Sequence, residues 1–111
     1  MEKTYNKLVR DKIPQIITEN NEIPIIKILN DNEYKTSLEN KLLEEYNEVI
    51  NADDNYIEEL ADMLEVIDAL AKTQNKTFID VLKIKEEKKN KRGGFENKIF
   101  LEKTTDKELT E

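Results

Sequence analysis

Thirty consecutive residues, Leu42 to Ala71, carry ten carboxylates and neither a lysine nor an arginine. Opposite charges three or four residues apart add about 0.2–0.5 kcal/mol each to a helix, and like charges cost a similar amount. This window forgoes the support and keeps the repulsion, although lysine is frequent on either side of it. A helical chain of this kind needs cations from outside the window. A divalent ion is the simplest source, so the acids at Glu44, Glu45, Glu48, Glu59 and Asp62 are where function is expected.

Composition narrows which ion that is. The 111 residues contain no cysteine and no histidine, which excludes disulfides, the usual zinc sites, thiol nucleophiles and imidazole acid–base catalysis. Any metal must be held by oxygen, which points to Mg2+ or Mn2+, with Ca2+ as a further option. A net charge of -7 disfavours nucleic acid as a partner, because a phosphate backbone attracts a basic face. Residues 1–17 have no uninterrupted apolar core of a signal peptide, and no run approaches the roughly 20 apolar residues of a membrane span. A soluble, cytoplasmic chain is the expectation.

Two glycines and two prolines are too few for a turn-rich β fold. Asp11 is placed to cap a short helix ending near Asn20, with Pro14 in its first turn. Glu22 to Leu29 is rich in β-branched residues and contains Pro24, which predicts an extended segment or edge strand. Three capping-box spacings follow, at Asn30/Glu33, Asn55/Glu58 and Thr77/Asp80, and predict long helices to about Asn51, to about Asn75, and to a C-cap at Gly93. The segment Asn51 to Asn55 is a turn without the glycine and alternating ligands of a calcium-binding loop. Asn97 to Glu102 reads as a short strand able to pair with Ile25 to Leu29. The expected fold is an all-α helical bundle over residues 1–102, with a minor two-stranded β element from 22–29 and 97–102 and a polar tail at 103–111.

On the helix before the turn, Leu38, Leu42, Glu45 and Val49 share one stripe, and Glu48 neighbours Glu45. The helix after the turn is apolar around most of its circumference, as expected of a helix central in a bundle. Glu59 lies in line with Met63, Val66 and Leu70, and Asp62 is three residues on. A short turn makes the helices antiparallel and sets Glu45 and Glu48 opposite Glu59 and Asp62. Two unit charges about 4 Å apart repel by about 4 kcal/mol at an effective dielectric near 20, so such a cluster needs protons or metal. Acids on a helix are more often a solvated face. The missing lysines and the apolar neighbours of Glu45 and Glu59 favour metal.

The stretch EEYNEVINADDNYIEELAD, Glu44 to Asp62, resembles the E-E-x-x-E … E-x-x-D signature of the MazG-like all-α nucleoside triphosphate pyrophosphohydrolases. YNKLVRDKIPQII, from Tyr5, and KRGGFENKIFL, from Lys91, are similar to flanking motifs of the phosphoribosyl-ATP pyrophosphohydrolase-like branch. The resemblance implies Mg2+-dependent hydrolysis of a nucleoside triphosphate at the α–β bond, giving a monophosphate and pyrophosphate. It implies metal ligands and catalytic acids at Glu45, Glu48, Glu59 and Asp62, with a lesser role for Glu44, and a homodimer or higher homo-oligomer. Ten residues separate Glu48 from Glu59, slightly fewer than is usual for the family, which implies shortened helices or a shortened turn.

The only two arginines, Arg10 and Arg92, fall in the two flanking motifs, and an arginine fork suits bidentate contact with phosphate. Lys7, Arg10, Lys12, Arg92, Gly93 and Gly94 are therefore the expected substrate-binding residues. Equally, Arg92-Gly93-Gly94 can be a plain C-cap and Arg10 an ion-pair partner of the acidic helices. Tyr5 and Phe95 can stack on a base, though core positions are the commoner fate of aromatics. Lys83 to Lys91 reads as a solvated helix face. Two alternatives stand beside the expected activity: a phosphoribosyl-ATP pyrophosphohydrolase of histidine biosynthesis, and a non-catalytic helical interaction module.

Overall fold

The computed structural model describes residues 1–108, and within them every regular element is an α-helix. Helix α1 spans Ile13–Glu19, α2 Asp31–Ile50, α3 Tyr56–Thr73 and α4 Phe78–Arg92. None of them is long and apolar enough to cross a membrane.

Two of the capping boxes form as the sequence predicts. The Asn30 side chain accepts from the Glu33 amide at 2.8 Å, and the Glu33 carboxylate accepts from the Asn30 amide at 3.2 Å. Thr77 and Asp80 do the same for α4. The helix ends at Gly93, whose φ of 84° favours a residue without a side chain, and whose amide donates to Lys89 O at 2.7 Å. The third box does not form. Asn55 is the residue before α3, but its side chain makes no cap and Nδ2 donates to Glu59 Oε1 at 2.8 Å instead of engaging Glu58. Nor does Asp11 cap α1. Lys12 occupies that position with helical backbone angles and no side-chain cap, and Pro14 sits in the first turn as expected.

The minor β element is absent among the described residues. Residues 22–29 form no ladder, and Pro24 lacks an amide to contribute to one. Residues 95–98 turn, with the Lys98 amide donating to Phe95 O at 3.1 Å and Lys98 itself at φ 59°. That left-handed residue breaks the extended run the strand required.

Helices α2 and α3 form a hairpin across residues 51–55. The side chain of Glu45, before the turn, meets those of Glu59 and Asp62 after it, which places the helices antiparallel. Helix α4 packs against α3 but not α2. The apolar core of the described chain is narrow: only Leu38, Val49 and Val66 are buried. Helix α3 is therefore not wrapped within one chain, and Ile57, Leu60 and Leu64 remain exposed. The chain measures 79 × 35 × 21 Å, although α2, the longest helix, is only about 30 Å long at about 1.5 Å per residue.

Candidate metal centre

Glu45 lies on the stripe of α2 that faces α3, one turn from Val49, so the packing that buries Leu38 and Val49 also buries it, to 8% exposure. Glu59 and Asp62 come from the first two turns of α3, half-buried, one turn apart on the side turned to α2. A carboxylate oxygen from each of the three can be found within 4.8 Å of the others. Hard divalent cations bind oxygen at about 2.0–2.6 Å, so oxygens on opposite sides of one ion lie about 4–5 Å apart. The three acids thus have the donor type and the separation to share an Mg2+ or Mn2+ ion.

Charge in this centre is not balanced by the chain alone. The Glu45 carboxyl is pushed above its ordinary value, first by burial and then, against the help of Lys41, by Asp62, Glu44 and Glu48. The Glu59 carboxyl is raised as well, first by partial desolvation, then by Asp62, Glu48 and Glu45. Glu48, expected as a fourth ligand, is exposed and stands outside the converged trio, although its charge is felt by both raised carboxyls.

Three cations approach the acids. Arg10 Nη2 donates to Asp62 Oδ1 at 2.8 Å. Lys7 Nζ donates to Glu44 Oε1 at 2.9 Å, a bond that raises the Lys7 pKa. Partial burial would raise the Glu44 carboxyl, but its hydrogen bonds from Lys7 and Lys41 prevail and lower it. Lys41 is the residue sequence reasoning passed over: it stands just ahead of the lysine-free window, 3.0 Å from Glu44 and 3.7 Å from Glu45, with its side chain only 17% exposed. The signal was its three- and four-residue spacing to those two acids. Beside it a small cavity of about 80 Å³ is lined by Asn6, Lys7, Ser37, Asn40, Lys41 and Glu44.

The remaining expected binding residues are not assembled here. Lys12 is exposed at the start of α1, and Arg92, Gly93 and Gly94 lie exposed at the far end of α4; neither Lys12 nor Arg92 forms an ion pair among the described residues. Tyr5 and Phe95 occupy no core position: both are exposed, and Lys3 Nζ lies 5.2 Å from the Tyr5 ring centroid. The basic run Lys83 to Lys91 is exposed, as a solvated face should be.

Comparison of the chain with protein-family models, with curated proteins and with solved structures gives no match.

Proposed function

We propose that this chain is a cytoplasmic, Mg2+-dependent nucleotide pyrophosphohydrolase, cleaving a nucleoside triphosphate or related nucleotide between the α and β phosphates. The observation that carries the reading is the convergence of Glu45, Glu59 and Asp62 from two antiparallel helices, with Arg10 and Lys7 brought to the same acids by the amino-terminal segment. The motif resemblance in Glu44–Asp62 supports the same chemistry.

Glu45, Glu59 and Asp62 would hold the cation, with the exposed Glu48 adding its charge from beside them. A bound Mg2+, or Mn2+, neutralises phosphate oxygens and makes a water more acidic. The chain's own groups do the rest. One carboxylate, Glu45 or a neighbour, accepts the proton of the attacking water. Arg10 and Lys7 are placed to transfer their hydrogen bonds from carboxylate to phosphate oxygens, stabilising charge on the departing pyrophosphate. Water adds to one phosphorus, the α–β bridging bond breaks, and one proton is released.

The direct test is pyrophosphate release from a nucleotide panel with Mg2+ or with EDTA. Release in the first and none in the second is expected. A phosphoribosyl-ATP substrate would appear in the same panel as a preference for that compound. No turnover of any nucleotide would leave the non-catalytic helical module, a reading favoured by the acids' existing ion pairs with Arg10, Lys7 and Lys41.

A further inference from the structure

The cavity of about 80 Å³ beside the acids has two walls of different origin. On α2, Ser37, Asn40, Lys41 and Glu44 follow one another at helical spacing and form a polar stripe next to the apolar one. The amino-terminal segment closes the other side with Asn6, Lys7 and Leu8. Two ion pairs hold that segment on the hairpin, Lys7 to Glu44 and Arg10 to Asp62. Asn6 stands at φ 45°, a left-handed conformation that asparagine tolerates better than most residues, and this bend directly precedes Lys7.

One cation separates the cavity from the acid centre. Lys41 Nζ lies 3.0 Å from Glu44, in the cavity wall, and 3.7 Å from Glu45, in the converged trio. A nucleotide whose α and β phosphates meet the trio therefore has the next group along, the sugar on the α phosphate, within reach of the cavity.

The lining selects among the parts of a nucleotide. At about 10–15 Å³ for each water, 80 Å³ takes several, which is the scale of a five-membered ring with its hydroxyls and less than a two-ring base. A base also calls for a stacking surface, and no aromatic side chain lines the cavity among the described residues; Leu8 is its one apolar side chain. A phosphate there would face the Glu44 carboxylate. Hydroxyls both donate and accept, and the walls offer both functions. Asn6, Ser37 and Asn40 have no side-chain hydrogen bond among the described residues. Glu44 takes one ammonium on each oxygen, and a carboxylate has about four acceptor sites, so it retains capacity for an O–H donor.

We propose that this cavity receives the sugar of the substrate, with its 2′ and 3′ hydroxyls on Asn40, Ser37 and Glu44, and that the site thereby selects ribonucleotides over 2′-deoxyribonucleotides. The 2′ hydroxyl is the group by which a protein tells the two apart. The inference rests on the catalytic reading for its substrate. It adds a function for Glu44, whose Oε1 becomes free for a hydroxyl when Lys7 turns to phosphate.

The test compares kcat/KM of the wild-type chain for ATP, CTP, GTP and UTP with that for the 2′-deoxy form of each, in Mg2+. A hydrogen bond to a charged group corresponds to roughly 10- to 100-fold, and the cavity is open to water, so a ribonucleotide preference of about tenfold is expected with every base. Equal use of the two sugars, or preference for the deoxy form, overturns the proposal. Asn40→Ala and Ser37→Ala place alanine in a helix, which alanine favours, so folding survives. Each is expected to bring the two kcat/KM values together by lowering that of the ribonucleotide. A loss shared equally by both sugars marks a structural role and overturns the assignment. If wild type releases no pyrophosphate from any nucleotide, the catalytic reading fails, and calorimetry with ribose 5-phosphate and 2-deoxyribose 5-phosphate decides the cavity. Tighter binding of ribose 5-phosphate that is lost in Asn40→Ala sustains the sugar site, and any other result overturns it.

Discussion

Arg10 Nη2 and Asp62 Oδ1 stand 2.8 Å apart, joining the amino-terminal segment to the first half of α3 through a carboxylate that is also part of the converged trio. A guanidinium and a divalent ion compete for the same oxygen atoms, so Arg10 is both a stand-in for the cation and a candidate for phosphate. Replacing Arg10 by alanine is expected to act with opposite signs on the two ligands. Binding of Mg2+ without nucleotide, followed by calorimetry, becomes tighter because Asp62 is freed. Turnover falls, since charge-assisted hydrogen bonds of about 1.5–3 kcal/mol correspond to roughly 10- to 100-fold in kcat/KM. Lysine at this position restores only part of the turnover, because the charge returns without the fork. The exposed pair adds only about 0–1 kcal/mol to stability, so folding survives. Loss of metal binding in Arg10→Ala would mean that Arg10 merely holds the acidic helices.

Neutralising the acids gives a separate expectation. Glu59→Gln and Asp62→Asn each turn a candidate carboxylate ligand into a neutral amide and remove one of the charges facing Glu45. Both variants should melt at the wild-type temperature or above it without metal, and should lose the rise that Mg2+ produces. For wild type that rise corresponds to about 2.7 kcal/mol when the ion is present at about 100 times its dissociation constant. Pyrophosphate release should fall to background in both. Equal Mg2+ stabilisation of wild type and Asp62→Asn would remove the trio from consideration as a metal centre.

Local signals were legible in the sequence, and relations between distant segments were not. The boxes at Asn30/Glu33 and Thr77/Asp80 form because each is settled by a few adjacent residues. At Asn55 two neighbouring acids compete, and the side chain goes to Glu59 rather than closing a box with Glu58. The stripe of Leu38, Glu45 and Val49 revealed that a carboxylate would be buried with the core. It could not show that Glu48, one turn on, would swing outside the trio, because that depends on how the two helices rotate against each other. A pairing of 22–29 with 97–102 spans most of the chain, and the turn at 95–98 with Lys98 at φ 59° prevents it by a local choice that spacing does not reveal.

The capping box of α4 sets a pH dependence that can be isolated. Hydrogen bonds from the backbone and side chain of Thr77 hold the Asp80 carboxyl below its ordinary value of 3.8. A carboxyl depressed in the folded state contributes stability above its unfolded pKa and loses it as pH falls through the folded one. Thr77→Ala should cost about 1 kcal/mol near neutral pH, the usual cost of a lost N-cap. Part of that difference should disappear as the pH drops below the ordinary aspartate range, because acid removes the bond from the Thr77 hydroxyl to the Asp80 carboxylate but not the bond from the Asp80 amide to Thr77 Oγ1. Helicity followed by circular dichroism in both chains gives that difference directly, and a gap independent of pH would contradict it.

Lys41 provides the sharpest link between stability and metal. Its ammonium is 3.7 Å from Glu45, the one buried carboxylate among the described residues, and 3.0 Å from Glu44, with little exposure of its own. Without metal it is the nearest counter-charge that Glu45 has within its own helix. Lys41→Met keeps the length and apolar packing of the stem and removes only the charge. Leaving a buried charged group without its partner costs about 1–3 kcal/mol, so this variant should melt well below wild type in EDTA. Saturating Mg2+ should return much of the loss, since the ion then faces Glu45 in place of the ammonium. In a Glu45→Gln background the same substitution should cost far less, because the charge it compensated is gone. A double-mutant cycle measures that coupling. If Lys41→Met is as damaging in the Glu45→Gln background as in the wild-type chain, and Mg2+ rescues neither, then Lys41 serves Glu44 and the surface alone, and the balance between ammonium and metal at Glu45 is wrong.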